Sequence, residues 1–242
     1  MNAYNPNFLT ERILYRDGLI LVIDKPAGLA VHARPGAGSI RDQDTDNLEH
    51  YFDALRFGLP RDPVLAHRLD RDTSGCLILA RHPKAARKMG KLFQEGRIRK
   101  TYLAVCEGIP DKLSGTINMP LRKLNTKSGW SVVAQDHEEA KPATTVYRVL
   151  KSCDGLSLIE CRPKTGRTHQ IRVHLSHIGA PILGDIKYGS TDTKQNQHSM
   201  MLHASALSIP ISKNKPSIQV SAQPPDAMST IIEALHTQIN QS

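Results

Sequence analysis

The stretch LAHRLDRDTSG, residues Leu65 to Gly75, places two carboxylates among basic residues directly before a strongly apolar segment. That segment, CLILA from Cys76 to Ala80, alternates too little for a half-exposed strand and predicts a buried one. If the residues before it run out of a strand, Asp70 and Asp72 project to the same side. Two such carboxylates fit either an acid/base pair or a structural network of Arg–Asp ion pairs, and this segment by itself favours the network.

The rest of the chain predicts more strands than helices. Strands are predicted for LILVI, VLAHRL, KTYLAVCEG, TTVYRVL, LSLIECRP, SMMLHASALSIP and SIQVSA. Helices are predicted from Leu48 to Phe57, for KAARKMGKLFQEG, for THQIRVHLSHIG and for DAMSTIIEALHTQI. In the third of these, Thr168 is the expected N-cap and Gly179 the expected terminator. The polar, glycine-rich segment from Arg34 to Asn47 reads as a loop. Strands and helices do not alternate regularly, which favours an α+β fold around a mostly antiparallel sheet.

Composition and charge indicate a partner of high negative charge. The 242 residues suffice for one large domain or two small ones, and the formal net charge is +9. From Arg81 to Lys100 the chain has eight basic residues and one acidic residue, Glu95. Such a run is either a solvated helix face or a surface for a polyanion, and charge alone does not separate DNA, RNA and acidic lipid. A membrane anchor is disfavoured because the run lacks a broad apolar face with aromatic residues.

The cysteines and the N-terminal segment favour the cytoplasm. None of the four cysteines forms a CxxC pair, so buried thiols in a reducing compartment are favoured over a disulfide or zinc framework. No cationic segment leads into a long apolar run, and the longest apolar runs are far too short to cross a bilayer.

Two more motifs accompany the first in a fixed order. RKTYLAV covers Arg99 to Val105, and KTGRTHQIRVHLSHIG covers Lys164 to Gly179. KPAGLAVH precedes them, and GDIKYG from Gly184 to Gly189 follows. Together with HRLD-x-DTSG, this set resembles the RluA family of RNA pseudouridine synthases over most of the chain. The resemblance implies a single catalytic domain, residues 1–242, with a long bent sheet flanked by helices and an active site in a central basic cleft.

The resemblance also implies a role for three residues. Asp70 corresponds to the catalytic carboxylate, Tyr102 to the tyrosine that packs on the target uracil, and Arg172 to the basic residue that pairs with the carboxylate. The chemistry agrees with this division. The N1–C1′ bond is cleaved, the uracil turns, and C5 is joined to C1′, so the carboxylate either attacks C1′ or assists a glycal route by taking a sugar proton. In both routes it must be ionised, which a nearby guanidinium favours, and a flat aromatic partner lets the detached base rotate in place.

Further residues are expected to bind RNA or to support the loop that holds Asp70. Arg68 is expected to displace the target base or hold the RNA backbone, and Lys25 is either part of a turn or a phosphate contact. Asp72 and Thr73 are expected to fix the loop by hydrogen bonds to its backbone, and His169 belongs to a structural motif near the active-site wall. Phosphate contacts are expected from the basic segments, with these residues as candidates: Lys88, Lys91, Arg97, Arg99 and Lys100.

Neither a metal nor a cofactor is expected, because the isomerisation has no redox step and no activated water. Two of His169, His174 and His177 are spaced like ligands, but the Glu of HExxH and a third ligand are absent from this motif. Two rival functions stay open: a non-catalytic RNA-binding module on the same scaffold, and a metal-dependent RNA hydrolase that uses the histidines with Asp70 and Asp72.

The substrate is expected to be tRNA, large-subunit ribosomal RNA or both. KPAGLAVH begins within about 25 residues of the start of the sequence, which leaves no room for the N-terminal S4 domain of many relatives. We therefore expect the short form of the family, recognition of a compact stem-loop, and a monomer without an obligate protein partner.

Overall fold

The computed structural model describes residues 5, 7–32, 47–126, 129–190, 199–212 and 214–237. The predicted loop from Arg34 to Asn47 lies outside the described residues, except for Asn47 itself. The chain forms two compact units. The first unit consists of residues 1–98 and 206–223, and the second of residues 99–205 and 224–242. That residues 1–242 form one catalytic domain made of these two units stays a prediction.

Twelve strands and three α-helices lie within the described part of the chain. In chain order they are β1 (Ile13–Arg16), β2 (Ile20–Lys25), β3 (Val64–Leu65), β4 (Ser74–Ala80), α1 (Pro83–Gln94), β5 (Arg99–Glu107), β6 (Ser114–Asn118), β7 (Leu121–Thr126), β8 (Gly129–Ala134), β9 (Thr144–Cys153), β10 (Leu156–Pro163), α2 (Gln170–His177), β11 (Leu202–Ile209), β12 (Ile218–Ser221) and α3 (Asp226–Thr237). None of these helices is long and apolar enough to span a bilayer.

In the first unit, antiparallel strands pack against one amphipathic helix. Strand β2 pairs with β1 and β4, β3 also pairs with β4, and β12 pairs with the end of β11. Every residue of β4 is buried, as its unbroken apolar run predicts. Helix α1 begins at Pro83 after the N-cap His82, whose Nδ1 accepts a hydrogen bond from the backbone N of Ala85. Its buried Met89 and Leu92 join the core, so its basic side chains line the opposite, exposed face.

In the second unit, β10 lies between β5 and β9, and β6 pairs with the other side of β9, all antiparallel. Strands β7 and β8 form a separate hairpin. Helix α2 contacts β8, β9 and β10, and α3 contacts β5, β9 and β10. Gly179, which has φ +76°, terminates helix α2 two residues after its last residue, His177, and Ala180 N donates there to Leu175 O.

The predicted α+β class and its antiparallel strand pairing are confirmed, together with α1, α3 and the end of α2. The helix expected from Leu48 to Phe57 is wrong: two 3₁₀ helices, Leu48–Tyr51 and Asp53–Leu55, lie there. The backbone N–H groups of Phe52 and Arg56 donate to the oxygens three residues earlier, Glu49 O and Asp53 O, which is the hydrogen-bond spacing of a 3₁₀ helix. The predicted Thr168 cap is also wrong, since α2 follows His169, which has left-handed φ 53° and no side-chain cap.

Candidate active site

The loop that carries Asp70 is clamped by the DKPAG turn of the first unit. Thr73 N donates to the backbone oxygen of Asp70 at 3.2 Å, which closes a tight turn directly before β4. Gly28 and Arg71 exchange two hydrogen bonds: Gly28 N donates to Arg71 O at 3.0 Å, and Arg71 Nε donates to Gly28 O at 2.8 Å. The half-buried Asp70 is therefore presented by a backbone that is hydrogen-bonded at its own carbonyl and at the next residue, Arg71.

Lys25 lies beneath this loop and is fully buried. Its Nζ donates to three backbone oxygens, those of Pro26 at 2.7 Å, Leu29 at 2.9 Å and Arg71 at 2.8 Å. Burial lowers the pKa of Lys25 to about 7, although the nearby carboxylates, led by Asp72, oppose this shift. The prediction that Lys25 contacts an RNA phosphate is wrong, because its three donors are used inside the protein; its other predicted role, as part of the turn, agrees with these bonds.

The other predicted residues of the first unit divide by exposure. Thr73 is buried, and its backbone N donates to Asp70 O; a supporting role for its side chain stays a prediction. Arg68 is exposed at the start of the loop. The predicted RNA-binding residues Lys88, Lys91 and Arg97 are exposed on or after α1, as phosphate contacts must be.

In the second unit, Arg172 and Asp185 form a buried two-point ion pair. Arg172 Nε lies 2.7 Å from Asp185 Oδ2, and Nη2 lies 2.8 Å from Oδ1. Burial would raise the pKa of Asp185, but the hydrogen bonds and charge of Arg172 hold that pKa below its ordinary value. The backbone N–H groups of Lys187 and Tyr188 add to this effect by donating to Oδ1. The pair fixes the plane of the Arg172 guanidinium.

Tyr188 joins this ion pair to the predicted support residue His169. Its hydroxyl accepts from Val132 N at 3.1 Å and is hydrogen-bonded to Nδ1 of His169 at 2.8 Å. The Arg172 guanidinium lies 5.1 Å from the centre of the Tyr188 ring. His169 is held in a left-handed conformation that is costly for a residue with a Cβ, a feature that clusters at functional sites.

Tyr102 and the basic residues before it lie on β5. Tyr102 pairs with Cys161 of β10 and is only 9% exposed. Arg99 is exposed, whereas Lys100 is half-buried, and its Nζ donates to Thr165 O at 3.3 Å. Burial lowers the pKa of Lys100. Lys100 thus supports the turn that leads into α2, whereas Arg99 is placed as expected for an RNA contact.

The histidine most suited to a metal is used structurally. Both ring nitrogens of His174 are occupied, with Nδ1 2.9 Å from Thr145 Oγ1 and Nε2 2.9 Å from Met119 O. Burial lowers the pKa of His174, so the neutral ring is favoured. Within the described ranges, no three His, Cys, Asp or Glu side chains are grouped as metal ligands. His174 therefore offers nothing to the metal-dependent alternative.

Comparison with known proteins decides the family. The family model for RNA pseudouridylate synthases matches residues 19–177, which include Asp70, Tyr102 and Arg172. The chain belongs to this family. Its members convert uridine to pseudouridine in RNA, so the enzyme class is that of the isomerases, as predicted.

The relatives include enzymes named for large-subunit ribosomal RNA. An uncharacterised RNA pseudouridine synthase of Zymomonas mobilis is 45% identical over 92% of this chain and 98% of its own length. Ribosomal large subunit pseudouridine synthase C of Buchnera aphidicola is 37% identical over 88% of this chain and 67% of its own length. Ribosomal large subunit pseudouridine synthase D of Borreliella burgdorferi is 33% identical over 88% of this chain and 65% of its own length. The RluA resemblance is thereby confirmed.

Solved structures agree with the sequence comparison. Human RNA pseudouridylate synthase domain containing 4 has a TM-score of 0.77 at 27% identity and covers 96% of this chain and 95% of its own. Human RNA pseudouridylate synthase domain containing 1 has a TM-score of 0.72 at 28% identity and covers 98% of this chain and 98% of its own.

Sequence reasoning missed the roles of Asp185 and Tyr188. The GDIKYG motif stands out in the sequence, but nothing in its spacing shows that Asp185 is the buried partner of an arginine thirteen positions earlier. An Asp four residues before a Gly-terminated turn is ordinary in loops. The usable signal is that Arg172 interrupts an apolar helix face and needs an acidic partner, for which Asp185 is a candidate.

Proposed function

We propose that this protein isomerises specific uridines in stem-loops of tRNA, large-subunit ribosomal RNA or both, with Asp70 as the catalytic carboxylate. The family shown above supplies the reaction class. The names of the Buchnera and Borreliella relatives support a ribosomal substrate. The observation that carries the role of Asp70 is the clamp that Lys25 and Gly28 form around Arg71, the residue directly after Asp70.

The clamp suits a carboxylate that must meet one carbon atom. Both routes, attack on C1′ and removal of a sugar proton, need the carboxylate oxygen held within about 0.5 Å of its productive position. A loop with bonds to Lys25, Gly28 and Thr73 keeps that position without closing over Asp70, which stays half-buried. The substrate pays little ordering cost in such a site, and this is the benefit of preorganisation.

Arg172 is proposed to keep Asp70 ionised while Asp185 holds the arginine in place. A guanidinium carries five N–H donors, and the two bonds to Asp185 use two of them. This two-point pair fixes the plane of the Arg172 guanidinium from the side of Asp185. An Arg bound to two carboxylates is less able to move than one bound to a single carboxylate, so its charge stays directed at the reacting group.

Tyr102 is proposed to stack on the target uracil while the base is detached. Its backbone is held in β5, where Tyr102 lies opposite Cys161 of β10. Stacking tolerates in-plane rotation, which the change from N1 to C5 requires. The target uridine must first leave its helix at a cost of a few kcal/mol, and Arg68 together with exposed basic side chains is proposed to stabilise that state through phosphate contacts.

Release of tritium from uridine C5 tests this proposal, because the new bond to C1′ forms at C5 and displaces its hydrogen. Purified protein would be incubated with tRNA and ribosomal RNA transcripts labelled at C5, with and without chelator. We expect release that the chelator does not change, and mapping of the modified position would identify the substrate. Tight, salt-sensitive binding with no release from any of these RNAs would contradict the proposal and favour a binding module.

A further inference from the structure

We propose that Lys123 and Lys187 form a phosphate-binding site for the RNA backbone beside the Arg172–Asp185 ion pair. This inference rests on the proposed function, in that the ligand is the RNA substrate. It names two residues in the second unit, outside the basic run from Arg81 to Lys100. All contacts that support it lie within the second unit.

Lys187 is positioned by the same turn that builds the ion pair. Its backbone N donates to Asp185 Oδ1 at 2.9 Å, so the start of its side chain is fixed relative to Arg172. Its Nζ lies 5.9 Å from the centre of the Tyr188 ring, and Arg172 Cζ lies 5.1 Å from the same centre. Two cations therefore share one aromatic ring, with the Lys187 side chain exposed to solvent.

Lys123 reaches this ring from the β7–β8 hairpin. It lies directly opposite Val132, and residues opposite each other in antiparallel strands project to the same face. Val132 is buried in a cluster with Leu121 and Val173, against which Tyr188 packs, and its backbone N donates to the Tyr188 hydroxyl. The exposed Lys123 thus emerges on the face of the hairpin that is turned toward Tyr188.

The charges that meet here are mostly positive. The pKa of Lys187 is lowered, first by partial desolvation and then by repulsion from Arg172 and Lys123, with Asp185 acting in the opposite direction. Asp185 accepts four hydrogen bonds, two from Arg172 and two from backbone N–H groups. An anion placed between the two lysines would relieve their repulsion, and a phosphodiester is the anion that the proposed substrate supplies.

The test is the salt dependence of RNA binding by the Lys123→Gln, Lys187→Gln double variant. Binding of a fluorescent tRNA transcript would be followed by anisotropy over a range of salt concentrations. Each neutralised phosphate contributes about 0.7 to 0.9 to the slope of log K against log salt. We expect the slope to fall by about this amount and Kd in 0.1 M salt to rise about five- to tenfold. In turnover assays we expect the loss to appear in KM more than in kcat.

Two control variants separate this effect from general loss of charge. Lys112→Gln with Lys215→Gln removes the same charge from two exposed positions outside the Tyr188 cluster, and we expect it to change the slope less. Lys123→Arg with Lys187→Arg keeps both charges and should retain most of the affinity.

The outcomes also separate this inference from the proposed function. If the native protein releases no tritium but the double variant shows a smaller slope of log K against log salt, uridine isomerisation is overturned and the phosphate site is retained. An active native protein would overturn the phosphate site if the double variant matched the Lys112, Lys215 control in slope and Kd. A fall in kcat with unchanged Kd would also overturn it, because the lysines would then act in the chemical step.

Discussion

Arg172 and Asp185 form an ion pair in which the side chains are only 8% and 0% exposed. Removing one partner of such a pair leaves the other charge buried without compensation, which costs about 3 to 5 kcal/mol. The exposed pair of Arg122 and Glu139 has a similar distance, 2.7 Å, but one side chain is 65% exposed. Solvent screens that pair, and it is worth about 1 kcal/mol or less.

We predict that Asp185→Asn lowers the free energy of unfolding by about 3 kcal/mol. The control Glu139→Gln should lower it by no more than about 1 kcal/mol. Chemical denaturation of both variants beside the native protein measures the difference. Equal, small effects would show that Asp185 does not compensate the Arg172 charge.

The lowered pKa of Lys25 predicts that the free energy of unfolding depends on pH. Burial lowers the pKa of Lys25 to about 7 in the folded protein, against an ordinary pKa of about 10.5 in the unfolded chain. Unfolding between these pH values takes up a proton, so the free energy of unfolding rises with pH from about 7 to about 10.5, and Lys25 adds no pH dependence below about 7. Relative to Lys25→Met, native stability should rise by on the order of 1 kcal/mol per pH unit across this window. A difference that is flat with pH would mean that the three carbonyls hold a charged ammonium throughout.

At the level of elements, the end of β5 is locked to the end of α2 by a close backbone approach. Gly108 follows β5 with φ +86°, and a Cβ there would lie 2.6 Å from the carbonyl oxygen of Gly179, which follows α2. Gly155, in the turn between β9 and β10, has φ +75° but open space around its Cβ position. The two glycines share the conformational requirement and differ in the space around them.

We predict that Gly108→Ala destabilises the protein by about 1 to 3 kcal/mol more than Gly155→Ala does. Both variants carry the strain of a left-handed alanine, about 1 to 2 kcal/mol, and this common part cancels in the comparison. Thermal unfolding of the two variants gives the result. Equal destabilisation would show that β5 and α2 can separate at this point without cost.

Helix α1 presents its basic residues on the face opposite its buried one. We predict that Lys88→Glu with Lys91→Glu raises the KM for RNA, since these exposed side chains can bind phosphates without touching the reacting base. Lys112→Glu with Lys215→Glu carries the same charge change and should have a smaller effect. A turnover defect that persists at saturating RNA would contradict a role in binding alone.

Across the whole molecule, sequence reasoning succeeded where pattern and burial agree. The apolar run of β4 and the capped, amphipathic α1 are both readable from residue order. The hairpin of β7 and β8 was not predicted, because LRKLNT is mostly polar and its pairing partner, rather than its composition, makes it a strand.

The candidate site was only partly readable from the sequence. Asp70, Tyr102 and Arg172 stand in specific motifs, so a resemblance could assign them. The buried place of Lys25 could not be deduced, since lysine is almost always exposed and only the fold brings three carbonyls to its ammonium. The bond from Lys100 to Thr165 O could not be deduced either, because a basic run indicates exposed side chains and only the fold brings that carbonyl to the ammonium.

The central claim is that Asp70 performs the chemistry and that the remaining surface binds the RNA. The most direct measurement compares native protein with Asp70→Asn, which keeps the shape of the side chain and removes its charge. Tritium release in a single turnover at saturating RNA and the Kd for the same transcript would be measured together. We predict that release falls to the level without enzyme while Kd stays within about threefold, a change of less than 1 kcal/mol. Release by the variant at the native rate would contradict the account.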